Sequence, residues 1–195
     1  MNLLAHIFLS GESDEIMIGN FIADFIRGNK FDHYSEDVIQ GIHLHRKIDS
    51  YTDTHPIVKQ SIQLLRDDFG KYASVIVDIF YDHFLASNFH DYSNIPLIDF
   101  SQEKYVTLSR NIDILPEKAQ NFLPFMIESN WLLRYADFYG MERALTGLSR
   151  RSKFASNLHE AIHNLKKDYE SFEKDFRLFF PDLMTFVEDE LKKII

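Results

Sequence analysis

Residues 43–56 read HLHRKIDSYTDTHP, and the spacing of their polar groups decides how the chain is organised. His45 and Asp49 stand four residues apart, Asp53 follows four later, and Thr54-His55-Pro56 closes the segment. Extended backwards, the register places Val38, Ile42, His45 and Asp49 at i, i+4, i+7 and i+11, on one side of a helix. The side that ought to be apolar therefore carries an imidazole and a carboxylate. Burying charge without a partner is costly, so such groups pair with each other or hold a metal ion. The helix opens at Ser35 or Glu36 and runs to about Tyr51. Pro56 fits the first turn of a second helix over 56–69, which Gly70 closes. Asp53 lies among cap-type residues and suits either a cap or a site.

The same mixture of apolar and polar groups recurs on both sides of this helix. Residues 2–9, NLLAHIFL, form a short buried helix with Asn2 and His6 four apart. His6 fits a hydrogen-bonded core histidine as well as it fits a site residue. Gly11 to Asp14 turn the chain, with Ser13 or Asp14 as N-cap, and Glu15–Gly28 reads as a helix ending in Gly28. Its face at Met17, Asn20, Phe21 and Asp24 again sets an amide and a carboxylate among apolar groups. Residues 29–35 are a polar connector. The run from Lys71 to Phe89 is apolar apart from Ser74, Asp78, Asp82, His83 and the Ser87-Asn88 tail, and it is too long for a typical strand. Asp78 and Asp82 share a stripe with Val75, Leu85 and Phe89. Two dry carboxylates there repel each other unless a proton or a cation relieves them.

The remaining chain reads as scaffold. A loop covers 91–96, and amphipathic helices cover 101–114 and 118–130, with Pro116 between them and Pro124 kinking or dividing the second. Trp131 and Arg134, three apart, suit a pocket wall or a packing-and-capping role. Arg143, Arg150, Arg151 and Lys153 form the densest basic cluster. One long helix is expected over 154–179, with an inward stripe of Leu158, Ile162, Leu165, Tyr169, Phe172 and Phe176, and Pro181 is expected to start a terminal helix to about 193. No repeat or linker divides the chain, so the expectation is one all-α domain over 1–195, a helical bundle.

Composition narrows the chemistry. Eighteen Phe point to an aromatic interior, and seven Gly with five Pro to long elements and short loops. The absence of Cys removes disulfides, thiolate metal sites and thiol nucleophiles, and suits a reducing cytoplasm. The start lacks the basic region and cleavage site of a signal peptide, and no apolar run approaches the ~20 residues that cross a bilayer, so no membrane association is expected. A net charge of −9 argues against a nucleic-acid surface, and an anionic partner must be met by a local basic patch.

His159-Glu160-Ala161-Ile162-His163 matches the H-E-x-x-H signature of zinc proteases. Both histidines lie off the inward stripe, their face continues into Lys166, Lys167 and Glu170, and no third ligand stands in a motif. A solvated helix face is the expected reading.

Asp24, His45, Asp49, Asp78, Asp82 and His83 are thus the candidate inward polar cluster, with Asn20, His6 and Asp53 in reserve. Imidazole and carboxylate without thiolate suit Mn²⁺ or Mg²⁺, with Fe²⁺ or Zn²⁺ as alternatives. Such an ion neutralises crowded carboxylates, acidifies water and polarises a phosphoryl oxygen, which makes phosphoester hydrolysis a natural chemistry. From the residues alone, a hydrolase of a nucleotide or another small phosphoester, and a non-catalytic binding protein with a dry polar network, stay open beside it.

MNLLAH, GNFIADFIRG, GIHLHRKIDSYTD, DHFLASNF and WLLRY, in that order across most of the chain, resemble the acyl carrier protein phosphodiesterase family, itself similar to an atypical branch of the helical HD phosphohydrolases. The resemblance implies an HD-like fold and Mn²⁺-dependent removal of 4′-phosphopantetheine from holo-acyl carrier protein in the cytoplasm. It implies site roles for Asp24, His45, Asp49, Asp82 and His83, which stand inside matching blocks; Asp78 stands just outside. The adjacent His-Asp of ordinary HD enzymes is missing, and Asp82-His83 has the reverse order. Arg46 or Arg27 is expected to offset phosphate charge, and His83 or a metal-bound water to donate a proton to the leaving serine oxygen. Acyl carrier proteins are generally acidic, so Arg27 with Lys30, Arg46 with Lys47, and the Arg143–Lys153 cluster are the docking candidates.

Overall fold

The computed structural model describes residues 2–28, 30–152 and 157–194. Asn2 caps α1 (Leu3–Phe8), and Ser13 caps α2 (Asp14–Ile22) by accepting the Ile16 N–H. Ser35 caps α3 (Glu36–Thr54), and Pro56 opens α4 (Pro56–Phe69), which ends at Gly70 with φ +54°. Then come α5 (Ala73–Ser87), α6 (Leu97–Arg110), α7 (Glu117–Glu128), the single turn α8 (Trp131–Arg134) and α9 (Phe138–Arg151). The chain closes with α10 (Ala161–Lys167) and α11 (Tyr169–Leu191). No strand occurs among the described residues, so the fold is all-α as the periodicity predicts.

The apolar run from Ala73 becomes the central helix α5, against which α1, α4, α9 and α11 pack. Phe80 and Phe84 of α5 meet Phe172 and Phe176 of α11 at ring separations of 5.2 and 5.9 Å. The inward stripe of the last third is indeed buried at Leu158, Ile162, Leu165, Phe172 and Phe176. One buried polar chain crosses this core. Ser61 donates to Asp175 Oδ2 at 2.8 Å, which leaves its oxygen to accept from the Tyr81 hydroxyl at 2.9 Å. Burial in turn pushes the Tyr81 phenol well above its ordinary range.

The most extensive helix pair is α2 with α3, and glycine makes it possible. Gly19 and Gly41 face each other: a Cβ on either would lie 2.9 Å from the other's Cα and overlap a backbone carbonyl, Val38 O in one case and Ile16 O in the other. The two backbones therefore approach more closely than any side chain allows, and this brings Asn20 of α2 against His45 of α3.

Four sequence expectations are corrected. The helix expected to end at Gly28 stops at Ile22, and a 3-10 turn over Ala23–Phe25 re-aims Asp24 before the backbone extends at Ile26. The helix expected over 154–179 is broken: a 3-10 turn at Leu158–Glu160 leads into α10, and Asp168 (φ −112°, ψ 30°) separates it from α11; its first residues lie outside the described ones. Pro181 does not start a helix but sits inside α11, and Pro124 sits inside α7. A proline removes one helical N–H bond, and neighbouring packing holds the helix together across it. The helix placed at 101–114 begins earlier, after Pro96, and ends at Arg110.

Gly41→Ala is expected to lower stability by about 1–3 kcal/mol through overpacking against α2. A thermal melt followed by circular dichroism checks it, and an unchanged midpoint contradicts the close contact.

Candidate metal centre

Asn20 is fully buried, and its amide orientation is set by its donors: Nδ2 gives hydrogen bonds to His6 O at 2.8 Å and to Ser10 Oγ at 3.0 Å. Its Oδ1 must then face the two imidazoles, 2.9 Å from His6 Nδ1 and 3.1 Å from His45 Nδ1. An amide oxygen only accepts, so both Nδ1 atoms carry hydrogen; His45 Nδ1 also donates to Asn20 O at 2.9 Å. Both Nε2 atoms are thereby turned to the same side. His6 Nε2 lies 3.1 Å from Asp49 Oδ1, and His45 Nε2 lies 3.2 Å from Asp49 Oδ2 and 3.3 Å from Asp24 Oδ1. The rings stack with centroids 3.8 Å apart.

This donor set fits a metal ion. Ligand atoms of His6, His45 and Asp49 all lie within 4.8 Å of one another, and each ring is oriented by a hydrogen bond through its other nitrogen. Without a cation, neutral Nε2 lone pairs would face carboxylate lone pairs, while two protons would set stacked imidazolium rings against each other. Burial lowers the His6 imidazolium below its ordinary value, helped by the charge of His45. Burial also opposes the charge on His45, but hydrogen bonds to Asp24 and Asp49 overcome it and raise that ring to about 9. For Asp49, burial raises the carboxyl, and the two histidines pull it well below the carboxylate range. The hydrogen bond with His45 likewise lowers Asp24, whose side chain is 74% exposed at the rim. Asp24, His45 and Asp49 border a cleft with Asn2, Asp53 and Asp78. Burial and then the charge of Asp78 raise Asp53 above the ordinary carboxylate value.

The structure thus brings together Asp24, His45 and Asp49, adds His6 and Asn20, and sets Asp78 on the cleft wall. It places Asp82 and His83 elsewhere. Asp82 is fully buried and accepts the N–H groups of Asn2 (3.3 Å), Leu4 (2.7 Å) and Ala5 (3.3 Å). Both its oxygens are spent on the first turn of α1, the helix that carries His6, while burial pushes its carboxyl up to about 7. His83, one residue and about 100° further round α5, donates from Nδ1 to Tyr135 O at 2.7 Å, so its Nε2 accepts from the Tyr169 hydroxyl at 3.1 Å. The ligand role expected of Asp82 gives way to anchoring of α1. The ligand and proton-donor roles expected of His83 give way to a tie between α5, the α8–α9 turn and α11.

Arg46 is exposed and reaches Gly28 O at 2.5 Å with its guanidinium 5.0 Å from the Phe31 ring, rather than bordering the cleft. Lys47 pairs with Glu190 at 2.6 Å. Arg134 pairs with Asp137, whose Oδ1 caps α9 through the Gly140 N–H at 2.7 Å. His159 and His163 are exposed and each contacts Glu160, at 3.2 and 3.5 Å, which agrees with a solvated face rather than a protease site. Lys153 lies outside the described residues, and Arg143 and Arg150 border an open cavity with Trp131. Sequence alone ranks His6 and Asn20 as reserve candidates; the signal that points to them is that each is a lone polar group within an apolar helix.

Two predictions test this assignment. Asp82→Ala leaves three N–H groups without an acceptor and is expected to cost about 2–3 kcal/mol, read as a lower denaturation midpoint, with the metal affinity of the folded fraction kept. Metal binding must also displace the His45 Nε2 proton. Since that ring titrates near 9 without metal, affinity is expected to rise about tenfold per pH unit from pH 7 towards 9. Calorimetric titration with Mn²⁺ at pH 7 and pH 8 reads this slope, and a flat profile contradicts displacement of a proton from His45.

Comparison with known proteins identifies the lineage. The family model described as acyl carrier protein phosphodiesterase matches residues 1–183. A protein of that name from Photorhabdus laumondii is 36% identical over 170 residues, 87% of this chain and 86% of the relative. Relatives of the same name from Pectobacterium atrosepticum and Yersinia enterocolitica are 33% and 31% identical, each over 87% of this chain and 88% of theirs. No solved structure matches the chain. With its family model covering nearly the whole length and its relatives aligned over 87% of it, the chain belongs to the acyl carrier protein phosphodiesterase family.

Proposed function

We propose that this chain hydrolyses the phosphodiester joining 4′-phosphopantetheine to the serine of holo-acyl carrier protein, with Mn²⁺ as the ion in the centre. The observation that carries the reading is the convergence of His6 Nε2, His45 Nε2 and the Asp49 carboxylate on one side of Asn20, in a chain of this family. When bound, a divalent ion supplies Lewis-acid polarisation of the phosphoryl group and neutralises its charge.

The side chains supply the rest. His6, His45 and Asp49 hold the ion, and Asn20 keeps both rings from turning. Asp24 stands beside His45 Nε2 and is open to the cleft; once that nitrogen gives up its proton the carboxylate is free to orient the attacking water and take its proton. Water adds to phosphorus as the bond from phosphorus to the serine oxygen breaks, and that oxygen must gain a proton. Asp53, on the cleft wall beside Asp78, is the group that delivers that proton, in place of His83, which lies away from the cleft. The products are apo-carrier and 4′-phosphopantetheine. No described helix is long and apolar enough to cross a membrane, and the lack of Cys suits a cytoplasmic enzyme.

Incubation with holo-acyl carrier protein and Mn²⁺, read by intact mass, is expected to show loss of the whole arm from the carrier. EDTA should abolish the reaction and added Mn²⁺ restore it, and folded Asp49→Ala should fall by about 100-fold or more. A carrier mass that never changes, or hydrolysis indifferent to EDTA, contradicts the proposal.

A further inference from the structure

The acidic cleft continues into a groove. At Asn2 and Asp24, which border both spaces, it meets a cavity of 240 Å³ walled by Leu3, Phe25, Ile79 and Phe122 and ending at Trp131. Trp131 and Phe122 in turn border a more open cavity of 690 Å³ that reaches Tyr139, Arg143 and Arg150. Phe25, Phe122 and Trp131 form a row, with ring separations of 5.9 and 5.7 Å. Trp131 stands at the junction. It opens α8 directly after Asn130, which holds a left-handed backbone (φ 46°) that asparagine tolerates better than other side-chain-bearing residues, and its Nε1 donates to the Tyr135 hydroxyl at 3.0 Å.

We propose that this groove receives the pantetheine arm of the carrier, with Trp131 as the residue that determines specificity for it; the inference rests on the phosphodiesterase reading above. The order of chemistry along the groove matches the arm. Polar Asn2 and Asp24 stand where the phosphate leaves the cleft, and an apolar, aromatic-walled stretch follows where the dimethyl and amide-linked chain runs. A folded carrier is too large for the 240 Å³ space, whereas a linear arm enters it. The two cavities together fall within the size of small-molecule sites, about 300–1,000 Å³.

Trp131 is the only tryptophan in the chain, so its emission reads the groove directly. Pantetheine, which lacks the phosphate, is expected to change the emission of the wild-type protein saturably, and apo-carrier, which lacks the arm, to leave it unchanged. Trp131→Ala is expected to lower kcat/KM for holo-carrier about tenfold, mainly through KM. Static emission with pantetheine, or an equal response to apo-carrier, overturns the assignment; the second result would make the groove a surface for the carrier's own fold. Arm release is read separately by mass on the same preparation. Release with static emission removes the groove and leaves the hydrolysis standing, whereas no release removes the hydrolysis on which the groove depends.

Discussion

One amide oxygen, Asn20 Oδ1, lies within hydrogen-bond distance of two stacked imidazoles, and the geometry of the centre follows from that constraint. An acceptor that must serve two rings fixes which nitrogen of each bears hydrogen, so both remaining nitrogens look the same way. The constraint has a cost in packing. Asn20 reaches His45 because α2 and α3 touch backbone to backbone at Gly19 and Gly41, and it reaches His6 because α1 is held in place from its N-terminus. Ser10 completes the arrangement: it donates to His6 O at 2.7 Å and accepts from Asn20, so no polar atom of the amide is left to turn it over.

Asp82 shows how a buried charge serves a site without entering it. Its carboxylate does for α1 what an N-cap does locally, but from a residue 77 to 80 positions away. A helix of six residues has little stability of its own, and three N–H donors on one carboxylate give it a fixed origin on α5. His6 inherits that precision. His83, the next residue, does comparable work on the opposite side of α5 by joining Tyr135 and Tyr169. The polar residues of α5 are therefore framework in its second half, whereas Asp78, one turn earlier, and Ser74 border the cleft.

This division explains what the chain reveals before folding. Helical period, caps at Ser13 and Ser35, and the Pro56–Gly70 bracket give the starts of α2 and α3 and both ends of α4 nearly to the residue, because each is a local rule. His45 and Asp49 are legible because i and i+4 on an apolar face have one direction to point. Asp82 and His83 are legible as buried, but periodicity says only that a side chain faces inward. Whether it meets an ion, a helix end or a hydroxyl depends on the neighbouring helix, which is a tertiary fact. His6 and Asn20 were ambiguous for the same reason. The misplaced ends, at Ile22, Asp168 and Pro181, are all places where packing overrides local signal: a 3-10 turn that aims Asp24, a break without glycine, and a proline kept inside a helix.

The distribution of charge gives the last step. The chain carries −9 overall, yet Asp24, Asp49, Asp53 and Asp78 crowd a single cleft that must accept a phosphodiester, itself an anion. Carboxylates and phosphate repel across a partly dry space, so the charge of the cleft opposes binding of a phosphodiester there. Arg46 does not relieve this, since it is turned to the Gly28 carbonyl; Arg27 is exposed and does not border the cleft, and Arg143 and Arg150 border the far groove. His6, His45 and Asp49 form a donor set that suits a divalent ion, and an ion held there would neutralise this crowding and offset the charge that an acidic carrier brings. The acidity of the cleft is thus a requirement placed on the ion rather than on the partner.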